Sequence, residues 1–188
     1  MSTLTTKRLF TGDDLLELQA RTGKQFELVK GLPVEVMPAG GKHGYIAATI
    51  LGEIFNFVRT RKLGFVFAAE TGIYLERNPD TVRGADVTFI SKAKLGDTSE
   101  IPERGFLDIV PDLVVEVRSP HDRDDEVDEK IREYQAAGVP MIWVIHPQKK
   151  EADVYEPGKP KQTLSETDAL VGGEVLAGFS LPLADIFN

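Results

Sequence analysis

The residues of this chain with the most chemical potential are acids and one lysine set inside apolar runs. In the segment Leu113 to Val117, a period of two puts Leu113, Val115 and Val117 on one face of a strand and Asp112, Val114, Glu116 and Arg118 on the other. Glu116 therefore projects from the middle of an apolar strand, where a carboxylate is costly to desolvate unless a cation meets it. Two readings stand side by side: a ligand for a divalent ion, or a salt bridge with Arg118 the partner at hand. Asp86 poses the same question, since Val87 and Phe89 face one way while Asp86 and Thr88 face the other; taken alone it also fits a strand start. Acids on neighbouring strands can converge on a hard divalent ion such as Mg²⁺, which takes one or two protein carboxylates and fills its shell with water and substrate phosphate.

Lys130 adds a cation. Val127, Lys130, Ile131 and Tyr134 fall on one helical face, so the lysine lies on the stripe expected to be buried. It either snorkels to the surface or brings its ammonium to where an anionic transition state develops near the two acids. Glu27, between Phe26 and Leu28, faces away from its apolar neighbours and is a further candidate ligand, or an exposed hairpin glutamate. His43 stands at a helix start, where backbone N–H groups favour anions, as a phosphate contact or a cap.

Composition narrows the chemistry. The 188 residues include no cysteine and only three histidines, which excludes disulfides, thiolate nucleophiles and Cys-ligated metals and leaves carboxylates to hold any cation. The formal charge of −8 opposes long-range attraction to a nucleic-acid backbone; small basic groups remain at Arg59, Arg61 and Lys62 and at Lys149 and Lys150. With 41% hydrophobic and 28% charged residues, the length and composition suit one soluble globular domain over 1–188. No run is long and apolar enough to span a bilayer, and Met1 to Leu9 lacks a secretory h-region, so the expected location is cytoplasmic.

These residues need elements to position them. Thr11 with Asp14 reads as a helix N-cap, leading an apolar face that stops at Gly23. Gln25 to Val29 and Leu32 to Met37 form a hairpin turning at Lys30-Gly31. From His43 to Arg61, Ala47, Ile50, Leu51, Ile54, Phe55 and Val58 mark a helical stripe. Strands are expected over Phe65 to Ala69, Ile73 to Leu75, Asp86 to Ile90 and Leu113 to Val117, then a helix over Asp124 to Ala137 and a strand over Met141 to Ile145 with Ala152 to Tyr155 pairing back on it. Gly158 to Gly173 is polar and poorly patterned, and Pro182 to Phe187 is a terminal helical turn. The order gives an α/β fold: a mixed central sheet flanked by helices, preceded by a helix and hairpin and followed by extra C-terminal strands.

The strings Phe26-Glu27-Leu28-Val29-Lys30-Gly31, His43, Asp86-Val87 and Pro111 through Pro120 resemble the Uma family of restriction-endonuclease-like proteins within the PD-(D/E)XK nuclease superfamily. The likeness continues through Lys130, Tyr134, Ala137-Gly138-Val139, Trp143-Val144-Ile145 and Gly178 to Leu183, nearly the whole chain. It implies a restriction-endonuclease-like core in which Asp86 and Glu116 bind Mg²⁺ or Mn²⁺, Glu27 is an additional acid and metal ligand, and Lys130 is the basic partner, with DNA as substrate. Arg118 stands where the superfamily motif has lysine, Ala85 where proline is usual and His146 where relatives have aspartate. Arginine does not readily lose a proton, so Arg118 is a candidate phosphate contact rather than a base. Two rival expectations remain: a nuclease fold that binds nucleic acid or protein without catalysis, and an assembly role in which Val175 to Phe187 forms a homodimer surface.

Overall fold

Thr11 caps the first helix as its sequence requires. Its side chain accepts from the Asp14 N–H while the Asp14 carboxylate accepts from the Thr11 N–H, closing a capping box for α1 (Gly12–Thr22), which Gly23 ends at φ 67°. The computed structural model describes residues 8–187, so most of the Met1 to Leu9 stretch considered for a signal lies outside the described residues. The hairpin follows as β1 (Phe26–Val29) and β2 (Leu32–Glu35), and α2 (Gly41–Arg61) comes next.

Burial along α2 falls on Ile46, Ile50, Ile54 and Val58. This row of four-residue steps includes Ile46, which the expected stripe omitted, and rotates Phe55 out to solvent at 46% exposure. Phe55 instead lies under the Arg59 guanidinium, 5.7 Å from its ring centre.

The strands divide into two main sheets. β3 (Gly64–Ala68), β6 (Val87–Ser91), β7 (Leu113–Val117), β8 (Met141–His146), β9 (Glu151–Tyr155) and β10 (Gln162–Leu164) form a six-stranded sheet in the order β10-β9-β8-β7-β6-β3. Only β7 and β8 run parallel, joined by the crossover helix α4 (Asp124–Ala137), so the sheet is mixed as expected. β4 (Gly72–Glu76) and β5 (Thr81–Gly84) leave this sheet and join the hairpin in a second one, ordered β2-β1-β5-β4. Residues 81–84 lie outside the expected strands, and this strand is the one that ties the hairpin into the molecule. A short helix α3 (Lys92–Leu95) follows β6.

The central sheet has two unlike faces. Leu113, Val115 and Val117 join Val87, Phe89, Trp143 and the α2 stripe in the larger core, whereas Val114, Val144, Ile131 and Tyr134 pack beneath α4. On the second sheet, Leu28 and Val82 pack with Leu15 of α1, which leaves the opposite face free to meet α4.

Gly158 to Gly173, expected to be irregular, contains β10 and β11 (Ala169–Val171), and β11 pairs with β12 (Ser180–Pro182) before the terminal α5 (Leu183–Phe187). The apolar C-terminal segment is not an external dimer surface: Leu176, Phe179, Leu181, Leu183 and Ile186 are buried in the main core, with the Phe179 ring stacked on Trp143. No helix among the described residues is long and apolar enough to cross a membrane.

Candidate active site

Register brings the two acids of the central sheet together. β6 and β7 are antiparallel with Val87 opposite Val115, which brings Asp86, just before β6, to the end of β7 that carries Glu116, close enough for its charge to raise the Glu116 pKa. Asp86 is anchored at one oxygen, Oδ2, which accepts from the Val117 N–H at 2.7 Å and lies 3.2 Å from His43 Nε2. Oδ1 stands outside these two contacts.

Glu116 is met from above by α4. Lys130 Nζ stands 3.2 Å from Glu116 Oε1, and the Tyr134 hydroxyl donates to the same oxygen at 2.6 Å. Lys130 therefore does not snorkel away: the stripe spacing delivers its ammonium to the acid. The same Nζ is 3.2 Å from Glu27 Oε1, so one lysine bridges the two sheets. The alternative pairing of Glu116 with Arg118 does not form; Arg118 instead donates to Asp124 at 2.7 Å and to the Asp122 carbonyl at 3.0 Å, holding the start of α4.

The second sheet contributes a further ion pair. β1 and β5 are antiparallel with Leu28 opposite Val82, so Glu27 and Arg83 emerge side by side on the opposite face. Arg83 donates to Glu27 at 2.8 Å and to Glu133 of α4 at 2.6 Å, and Glu27 also accepts from the Gly84 N–H at 3.1 Å. A continuous network thus runs Glu133–Arg83–Glu27–Lys130–Glu116–Tyr134. Neither Arg83 nor Glu133 carries a periodic signal that marks it as a site residue; the only hint was a charge placed between Val82 and Gly84.

Burial and neighbouring charges set the protonation states. Desolvation pushes Glu116 upward to about 7, with Lys130 opposing and the Asp86 and Glu27 charges reinforcing the rise. Burial also opposes ionisation of Glu27, but Lys130 and Arg83 overcome it and hold its carboxyl below the usual value. Lys130 is disfavoured as a cation by burial, yet the Glu116 and Glu27 carboxylates raise its pKa above that of a free lysine. Burial and the nearby Glu116 raise the Tyr134 hydroxyl well above its ordinary range, so it stays a donor. His43 is raised chiefly by its hydrogen bond with Asp86, against the effect of burial. Its Nδ1 is buried without a partner among the described residues, and its Nε2 faces Asp86; the ring, expected as a phosphate contact or a cap, meets an acid.

The donor set suits a hard divalent ion sparingly. Asp86 and Glu116 offer carboxylate oxygens, and Asp86 raises the Glu116 pKa, a mutual repulsion that a cation would relieve. Glu27 is held by Arg83, the Gly84 N–H and Lys130, as Glu116 is held by Lys130 and Tyr134. Among the described residues no group of three or more His, Cys, Asp or Glu side chains is placed to hold a metal.

Arg83 carries a stability prediction. It is 7% exposed between two buried carboxylates, and Arg83→Met removes the cation but leaves both acids. Urea denaturation is expected to show a loss of about 3–5 kcal/mol, the usual cost of breaking a buried pair on one side. A change under about 1 kcal/mol would mean the network is far wetter than its geometry implies.

The mixed sheet, its crossover helix and the acids at its centre define a nuclease-type α/β fold. The chain belongs to the Uma2 family, described as "Putative restriction endonuclease", which it matches over residues 13–184. Its fold is similar to a crystal structure from Anabaena variabilis ATCC 29413, described as a "putative nuclease belonging to DUF820", with a TM-score of 0.80, 23% identity, and coverage of 95% of this chain and 97% of that one. Among curated proteins none matches.

Proposed function

We propose that this protein is a divalent-cation-dependent endonuclease that hydrolyses DNA phosphodiester bonds, with Asp86 and Glu116 as the cation ligands and Mg²⁺ or Mn²⁺ as the cation. The observation that carries the reading is Lys130 held against Glu116, with Asp86 bonded to the next residue's N–H at Val117, in a chain of the Uma2 family. When bound, the cation supplies positive charge that polarises the scissile phosphate and lowers the pKa of the attacking water.

The chain's own groups do the rest. Lys130, kept cationic by its two carboxylates, offers a fixed positive charge to the added negative charge of the transition state. Glu27 and Arg83 hold that lysine in place from the second sheet, and Tyr134 fixes the rotamer of Glu116 by donating to Oε1. The Val117 N–H and His43 orient Asp86.

The test is incubation of the purified protein with supercoiled, linear and single-stranded DNA in Mg²⁺ or Mn²⁺, beside Asp86→Ala to expose contaminating nuclease. Expected is cleavage that needs the cation and vanishes in the variant. Absence of cleavage together with absence of calorimetric cation binding would overturn the proposal in favour of a noncatalytic binding module.

A further inference from the structure

The groove leading to Lys130 and Glu116 is built unlike a surface that grips duplex DNA. It encloses about 490 Å³, between the β1–β2 hairpin and α4. That is the capacity of a pocket for one small molecule, roughly 300–1,000 Å³. Six of its lining side chains are carboxylates and three are cationic. Each of the three cations is already ion-paired, Lys130 with Glu27 and Glu116, Arg83 with Glu27 and Glu133, and Arg118 with Asp124. Duplex recognition rests largely on phosphate contacts along both strands, and this lining has little to offer them.

The hairpin wall offers a different surface. Register sets Val34 across from Glu27 and Leu32 across from Val29, so these side chains emerge on the same face as Glu27. Leu32, Val34 and Val36 are 42%, 46% and 43% exposed, an apolar row at the mouth of a site for an anionic substrate. β2 is an edge strand; Pro33 and Glu35 guard its open edge, while Leu32, Val34 and Val36 lie along the groove. Nucleotides carry an apolar flat face only on the base, and that face is available only when the base is unstacked from its neighbours.

We infer that the groove accepts an unpaired nucleotide, its base packed on Val29, Leu32, Val34 and Val36 while the adjacent phosphodiester reaches Glu116 and Lys130. The inference rests on the nuclease reading and narrows its substrate to single strands or to duplexes with an extruded nucleotide.

The experiment compares cleavage rates on three labelled oligonucleotides of common sequence: single strand, perfect duplex, and duplex with one unpaired nucleotide. The variants are Val34→Lys/Val36→Lys and the shape-conserving Val34→Thr/Val36→Thr, each checked for folding by thermal melting. The wild type is expected to cut the two substrates with unpaired nucleotides at least about tenfold faster than the perfect duplex. The lysine variant, despite its added positive charge, is expected to lose about tenfold on them, with the threonine variant changing in the same direction. A perfect duplex cut as fast as the others, or faster cleavage by the lysine variant, overturns the inference and leaves the nuclease reading standing. Cleavage absent on every substrate overturns both.

Discussion

Glu116→Gln is expected to abolish cation-dependent cleavage, a loss of at least about a thousandfold, while leaving the protein as stable as the wild type or more so at pH 8. The two effects have one origin. The Glu116 side chain is 14% exposed near the C-terminal end of β7, and its charge is opposed by burial and by Asp86 and Glu27. Glutamine keeps the shape and an oxygen for the Tyr134 hydroxyl and Lys130, and removes the charge a cation needs. A residue retained for folding alone would show the opposite pattern, activity falling only as far as the fold weakened. Cleavage by Glu116→Gln within a few fold of wild type would remove Glu116 from the cation site; a large stability loss with little effect on the rate would make it a structural ion-pair member.

Much of this arrangement is legible from the chain because it depends on local periodicity. The limits of β7 and α4 coincide with the expected Leu113 to Val117 and Asp124 to Ala137, since alternation, the run of acids at the helix start and Gly138 at its end are all local signals. The i, i+3, i+4, i+7 spacing brought Lys130 and Tyr134 to the buried face, which is why the meeting of Lys130 with Glu116 could be anticipated at a separation of 14 residues. The Glu27–Arg83 pair spans 56 residues and depends on β1 lying beside β5, a pairing with no local mark. β5 itself is four residues long, with a charge and a glycine in it, so it reads as loop until its neighbours supply the ladder. β10, β11 and β12, each of three residues, were hidden for the same reason. Arg118 shows the limit of same-face reasoning: it shares a strand face with Glu116, but the acidic start of α4 competes for its guanidinium and wins.

The cation-free protein is expected to lose stability as pH rises, and added Mg²⁺ is expected to restore more at pH 8 than at pH 5.5. Glu116 has an ordinary value of 4.5 that burial, opposed by Lys130 and aided by Asp86, raises to about 7. A group raised on folding binds its proton more tightly in the native state, so its contribution is fully present below the unfolded value and lost as pH rises through the folded one. That places the decline between about 4.5 and about 7, with a magnitude on the order of 3 kcal/mol if no other group compensates. Glu27, whose value is lowered on folding, contributes in the opposite sense, present above its unfolded value and lost only in more acid solution, so it does not mask the decline. A cation bound to Asp86 and Glu116 favours the ionised form of Glu116, so its stabilisation should grow across the same window. Urea denaturation at the two pH values, with and without Mg²⁺, measures both quantities. Stability that is flat across the window would place Glu116 in a wetter setting than its burial implies, and an Mg²⁺ effect that is equal at both pH values, or unchanged in Asp86→Ala, would mean that the ion binds elsewhere.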